Sequence, residues 1–220
     1  MKVGFVSLGC SKNLVDTEIT IGMFQKNNFE IVTDAKDAEI IVVNTCGFID
    51  KAKQEAIDCL LEMADCKENG NCKYLIAMGC LVQRYKEELE QAMPEVDLFL
   101  SIEEYSNMWE KIEKLVKNSS KDKTEFDYRN RIVSTGKTTA YLKIAEGCSN
   151  RCTYCAIPYI RGPYESRKLE EILEEAKKLE QDGIKEIIVI AQDTTKYGTD
   201  IYGKQMLPEL LTKICAMERF

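Results

Sequence analysis

Three cysteines, Cys148, Cys152 and Cys155, stand in a C-x3-C-x2-C array directly after the strand-like run Thr139 to Ala145. That spacing delivers three thiolates to one small volume. Four-iron cubes are held by cysteine thiolates, so three protein ligands leave one iron open to bind a small molecule and pass it an electron. A structural zinc site is the competing reading. Closed zinc sites want four Cys or His ligands, and this chain has no histidine and no second C-x-x-C nearby. A disulfide framework fits less well. The chain opens Met-Lys-Val-Gly-Phe, without a charged n-region and a cleavable apolar stretch. No run approaches the ~18 apolar residues of a membrane span. Ten cysteines therefore read as ligands and reduced core thiols of a cytoplasmic chain.

A second set is scattered in sequence but alike in setting. Cys10, Cys46 and Cys80 each directly follow an apolar run: Phe5 to Gly9, Ile41 to Thr45 and Ile76 to Gly79. In a parallel α/β sheet the carboxyl ends of the strands share one edge, where ligands bind. Three cysteines on that edge would converge and offer three thiolates to a second cube. Gly9, Gly47 and Gly79 adjoin them and would let backbone come close to a bulky inorganic group. Any one of these cysteines alone reads as a buried apolar residue; the shared setting reverses that reading.

The remaining cysteines carry less. Cys59, Met63 and Cys66 follow Ala52 and Ala56 at helical spacing, which is a core stripe. Cys72 falls in a turn after Asn69-Gly70, and Cys215 sits in the last apolar turn and is expected in the core. Gly136-Lys137-Thr138 has the ending of a phosphate-binding loop. The glycine that such a loop needs five residues earlier is Arg131 here, so the match fails.

The elements that must position these cysteines alternate. Strands are expected at Lys2 to Leu8, Glu39 to Thr45, Tyr74 to Met78 and Val96 to Leu100. Helices are expected at Leu14 to Asn27, Asp50 to Lys67, Gln83 to Met93 and Glu103 to Lys117. That alternation predicts an α/β fold with a parallel sheet covered on both faces. Asn118 to Lys123 is polar and patternless and reads as a linker. The expected organisation is an N-terminal domain over 1–117, a linker over 118–137 and a second βα block over 138–220. In that block a strand at Thr139 to Ala145 is followed by a helix at Leu169 to Gln181. A strand at Ile184 to Ala191 and a helix at Pro208 to Met217 complete it. The formal charge of -7 argues against direct nucleic-acid binding, which needs clustered Lys and Arg. Without histidine, the commonest general acid/base is missing, and the chemistry falls to Cys, carboxylates, Lys, Tyr or a cofactor.

Two three-cysteine sets, one of them in an N-terminal α/β domain, resemble the methylthiotransferase branch of the radical S-adenosylmethionine (SAM) enzymes. Ser7-Leu8-Gly9-Cys10-Ser11-Lys12-Asn13-Leu14-Val15-Asp16-Thr17-Glu18 is similar to the RimO-type subgroup, which modifies a ribosomal protein. So are Asn44 to Ile49, Gly79 to Tyr85, Ala191 to Gly198, and Ile157-Pro158 with Arg161-Gly162 and Ser166-Arg167. The transfer-RNA-modifying relatives tend to carry Gln-Met-Asn where this chain has Ser11-Lys12-Asn13.

The resemblance implies a methylthio group placed on the β-carbon of one aspartate of a small-subunit ribosomal protein. It implies two [4Fe-4S] clusters and SAM. Cys148, Cys152 and Cys155 would hold the cluster that cleaves SAM to a 5′-deoxyadenosyl radical, and Cys10, Cys46 and Cys80 the auxiliary cluster that carries the sulfur. A reductant such as flavodoxin or ferredoxin is implied, with no membrane partner.

Tyr154, Gln192 and Asp193 are the positions expected near SAM, although strand-end capping would serve Gln192 and Asp193 equally. Arg161 and Arg167 are expected either on a carboxylate of SAM or substrate, or as solvated loop residues. The family runs to about twice this length, and residues 138–220 make about two βα units of the partial barrel. The chain by itself is therefore expected to be inactive, with a sticky edge beside Ile184 to Ala191. Two other readings stay open: a transfer-RNA methylthiotransferase and a non-catalytic iron–sulfur electron carrier. Carriers usually saturate each cube with four cysteines.

Overall fold

Ile40-Ile41-Val42-Val43 is a β-branched run buried on both faces, which suits the centre of a sheet. In the computed structural model it is that centre. The structure describes residues 1–117, 124–218 and 220, so the Asn118 to Lys123 stretch expected as linker lies outside them. The described residues form two compact units, Met1–Ile132 and Val133–Phe220.

In the first unit the strands are β1 (Lys2–Ser7), β2 (Glu30–Val32), β3 (Ile40–Thr45), β4 (Tyr74–Gly79) and β5 (Leu98–Leu100). They lie in the order β2-β1-β3-β4-β5, every pair parallel. The helices are α1 (Ser11–Lys26), α2 (Asp50–Asn69), α3 (Cys80–Ala92) and α4 (Met108–Val116). Alternate strand residues face opposite sides. Ile41 and Val43 join Leu60 and Met63 of α2 and Leu81 and Leu89 of α3 in one core. Across the sheet, Phe24 of α1 meets Phe5, Phe29 and Trp109 of α4 edge to face at 5.1–5.6 Å, a preferred aromatic geometry. From β1 the chain runs to one side to form β2 and then crosses to the other for β3. The topological switch point therefore lies between β1 and β3, the place where open α/β sheets bind ligands.

The segment 124–132, expected as linker, is packed on this unit. Thr124 Oγ1 accepts from Asn27 at 2.9 Å, Phe126 stacks on Tyr105, and Asn130 O lies against Gly22. Arg131 and Glu18, both 2 % exposed, pair at 2.6 Å.

The second unit holds β6 (Thr139–Lys143), β7 (Ala145–Glu146), α5 (Ile157–Ile160), β8 (Glu165–Ser166), α6 (Leu169–Gln181), β9 (Glu186–Ile190) and α7 (Leu207–Cys215). β6 and β9 pair in parallel, and α6 covers them through Leu169, Ile172, Ala176 and Leu179. Among the described residues the other edge of β9 has no strand partner, and Ile188 is 39 % exposed. Cys215 corrects the core expectation: it ends α7 on the exposed side, while Leu210 and Ile214 take the buried stripe. Cys72 is buried against α2 and donates to Tyr74 O at 3.4 Å, and burial pushes its thiol up. Cys59 and Cys66 are half-buried flanks of the same core. Gly136 follows the irregular stretch 131–135 at positive φ, so no strand feeds it as a phosphate loop requires.

Candidate iron–sulfur sites

Register brings the first cysteine set together. Ser7 pairs with Asn44, and Thr45 pairs with Gly79. Cys46 and Cys80 therefore follow adjacent, in-register strand ends. Cys10 follows two residues after Leu8, whose N–H still reaches Asn44 O at 2.9 Å. All three thus sit at the carboxyl edge, with Cys10 and Cys46 flanking the switch point. Cys10 is the exposed N-cap of α1, Cys46 is half-buried, and Cys80 begins α3 and is buried.

At two of these glycines the close neighbours are the cysteine turns themselves. A Cβ on Gly9, which has φ +89°, would stand 2.7 Å from Cys46 Cβ and 2.9 Å from its Sγ. A Cβ on Gly47 would stand 2.7 Å from Leu81 Cα. The missing side chains let the three cysteine turns close on one another. Among the described residues no three Cys, Asp or Glu side chains are close enough to hold a single metal ion. A four-iron cube asks for a wider triangle, because each thiolate binds a different iron. Three thiols carried by one sheet edge are the donor set such a cube would use.

Two buried asparagines, missed by the sequence reading as site residues, lie under this triad. Asn13 Nδ2 donates to Leu8 O at 3.0 Å and to Thr45 O at 2.9 Å, and Cys80 Sγ donates to Asn13 Oδ1 at 3.5 Å. Asn44 Nδ2 donates to Asn13 O at 2.8 Å and Thr17 Oγ1 at 3.0 Å. Their signal was available: a polar residue in the first turn of a helix after a cysteine, and an Asn inside an Ile/Val strand.

The second set lies on the loop between β7 and β8, whose antiparallel pairing Ala145↔Ser166 brackets it. Cys148 is buried and its N–H donates to Gly162 O at 3.1 Å. Cys155 is half-buried and closes a turn on Cys152 O at 3.0 Å, and Cys152 is exposed. Ile157 and Ile160 of α5 anchor the loop's exit in the core. Beneath it, Glu146 accepts from Lys143 at 2.8 Å and from Arg161 at 2.9 and 3.0 Å, the two cations being 1 % exposed. Burial pushes the Glu146 carboxyl up, but Lys143 and Arg161 outweigh it and hold it down at about 2.

Arg161 and Arg167 correct the solvated reading: Arg161, 1 % exposed, pairs with Glu146, and Arg167, 9 % exposed, donates to Glu175 and Lys143 O. Buried guanidinium groups need such partners. Tyr154 projects from the loop at 88 % exposure, and Gln192 is exposed. Asp193 caps the turn Thr194–Lys196 through Thr195 N and accepts from Asn150 of the cysteine loop at 3.1 Å. The Thr195 hydroxyl, which donates to it at 2.6 Å, and then Asn150 lower its carboxyl. Asp200, not anticipated, accepts from Ser166 N and Oγ at 2.7 and 2.6 Å and ties β8 down.

Comparison with known proteins agrees with this division. Residues 2–101 match the uncharacterized protein family UPF0004, and residues 142–212 match the radical SAM superfamily. The chain is 62 % identical over 99 % of its length to the ribosomal protein uS12 methylthiotransferase RimO of Alkaliphilus oremlandii, covering 50 % of that protein. It is 53 % identical to the protein of that name from Caldicellulosiruptor saccharolyticus and 51 % identical to that from Clostridium perfringens. In both comparisons it aligns over 99 % of itself and over 51 % and 50 % of the relative. The chain thus spans about half the length of the curated relatives it matches. It carries a UPF0004 segment followed by the start of a radical SAM segment, and over nearly its whole length it is similar to about half of the RimO proteins named here.

Proposed function

We propose that this chain supplies the cluster-bearing half of a methylthiotransferase that acts on the β-carbon of an aspartate in ribosomal protein uS12. The observation that carries the reading is the placement of Cys10, Cys46 and Cys80 on one carboxyl edge of the sheet of one unit, while a separate C-x3-C-x2-C loop occupies the other. One three-thiol set is enough for SAM cleavage; a second with the same open-position logic calls for a second task, sulfur delivery. Cys148, Cys152 and Cys155 would hold the SAM-cleaving [4Fe-4S] cluster, and Cys10, Cys46 and Cys80 the auxiliary one. Bound there with SAM, the clusters supply the radical chemistry and the sulfur that an unactivated carbon–hydrogen bond requires.

The chain's own residues hold geometry. The Lys143–Glu146–Arg161 knot fixes both ends of the SAM-side loop, and Asn150 ties it to Asp193 at the tip of β9. Tyr154, Gln192 and Asp193 stand as the SAM-side candidates. A low-potential carrier, flavodoxin or ferredoxin, would serve as reductant in the cytoplasm. The formal charge of -7 favours a basic protein substrate over RNA. Among the described residues no helix is long and apolar enough to cross a membrane.

The test places this chain in the matching half of a full-length relative, reconstitutes the protein anaerobically and offers it SAM, a reductant and either a uS12 peptide containing the aspartate or transfer RNA. Gain of a methylthio group on the peptide alone is expected. Modification of the RNA, or SAM cleavage with no methylthio transfer to either, refutes the assignment. A cluster spectrum indifferent to SAM would point to an electron carrier instead.

A further inference from the structure

Asn13 is fully buried on the first turn of α1, and one amide group touches all three turns that carry the first cysteine set. Both Nδ2 protons are used, on Leu8 O two residues before Cys10 and on Thr45 O one residue before Cys46. With two carbonyls fixing the nitrogen, the oxygen can point only the other way, where it accepts from Cys80 Sγ at 3.5 Å. A flip would set an oxygen against two carbonyl oxygens and lose both bonds. Asn44, donating to Asn13 O, keeps the turn itself in place.

We propose, resting on the auxiliary-cluster reading above, that Asn13 is a positioning residue for that cluster: it joins the three cysteine turns into one preformed triangle before iron arrives. A ligand set fixed in advance loses less conformational freedom when its metal binds. Without the amide, Cys10, Cys46 and Cys80 would belong to three turns that must be ordered at the moment of assembly.

Asn13→Asp is nearly isosteric and removes both donors, placing a carboxylate against two carbonyls. Asn13→Ser removes the reach and leaves a small polar group. Asn27→Ser, at the far end of the same helix, is the control for loss of an amide elsewhere. Iron is counted after anaerobic reconstitution at equal iron and sulfide. The paramagnetic signal of the reduced auxiliary cluster is recorded in a background with Cys148, Cys152 and Cys155 changed to Ala. Melting of the metal-free chains shows that the fold is kept.

Wild type and Asn27→Ser are expected to take up about eight irons and the Asn13 variants about four, with the auxiliary signal lost or altered. Should Asn13→Asp fail to fold, Asn13→Ser decides on the same two readouts. Folded Asn13 variants at about eight irons with an unchanged signal overturn this proposal alone. About four irons in wild type, unchanged when Cys10, Cys46 and Cys80 become Ala, overturns the auxiliary cluster itself and this proposal with it.

Discussion

Arg131→Met should unfold the first unit at a much lower temperature, although position 131 lies 113 residues from its partner. Arg131 and Glu18 meet at 2.6 Å with 2 % of each side chain exposed. Removing one member leaves a carboxylate buried on α1, and breaking buried pairs costs about 3–5 kcal/mol. For a unit spanning Met1–Ile132, each kcal/mol lowers the melting midpoint by about 4 °C. The expected drop is therefore about 12–20 °C in the transition of that unit, read by calorimetry. The double variant Glu18→Leu/Arg131→Met removes both charges and should recover most of the loss, because a buried pair replaced by apolar groups is often neutral. Lys73→Met is the contrast: its partner is Glu39, its side chain is 62 % exposed, and exposed pairs are worth about 0–1 kcal/mol. A cost for Arg131→Met no larger than that of Lys73→Met would refute the reasoning and return residues 124–132 to the status of a linker.

Two further perturbations reach the cysteine sites. Glu146 is held at about 2, below its unfolded value of about 4.3. Its contribution is therefore complete above about pH 4.5 and lost as pH falls toward about 2; the stability gap between wild type and Glu146→Gln, up to about 3 kcal/mol, should close across that window in acid titrations of unfolding. Gly9→Ala must set a Cβ 2.7 Å from Cys46 Cβ at φ +89°. It should cost about 1–3 kcal/mol in backbone strain and also remove the auxiliary iron. Gly136→Ala has a similar φ of +98° and open space around it, so it should keep full iron content.

Much of the fold was written in local pattern. The Ile/Val run marked β3, the apolar run Leu75 to Met78 marked β4, and the strand–cysteine–helix repeat marked the edge that carries Cys10, Cys46 and Cys80. What was not legible depended on partners far off in sequence. β2, only Glu30–Val32 with Ile31 36 % exposed, has too short a run to announce itself. Its place beyond β1 is what puts the switch point beside Cys10. Segment 124–132 lacks helix or strand periodicity, and it is ordered by partners distant in sequence, Asn27, Tyr105 and Glu18. Arg161 and Arg167 read as loop cations because Glu146 and Glu175 lie 15 and 8 residues away on elements whose register the sequence does not state. Cys215 sits among apolar neighbours, yet the stripe on α7 is taken by Leu210 and Ile214, one helical turn apart. Asn13 belongs to a local sequence motif, but its reach to Leu8, Thr45 and Cys80 appears only once three strand ends are side by side.

The account stands on two separate three-thiol sites in one chain. The most direct measurement is iron and sulfide content after anaerobic reconstitution, comparing wild type with the Cys10→Ala/Cys46→Ala/Cys80→Ala variant. About eight irons falling to about four is the predicted result, one cube for each cysteine set. About four irons in both proteins would contradict it, leaving a chain with a single cluster and three cysteines that only pack at a sheet edge.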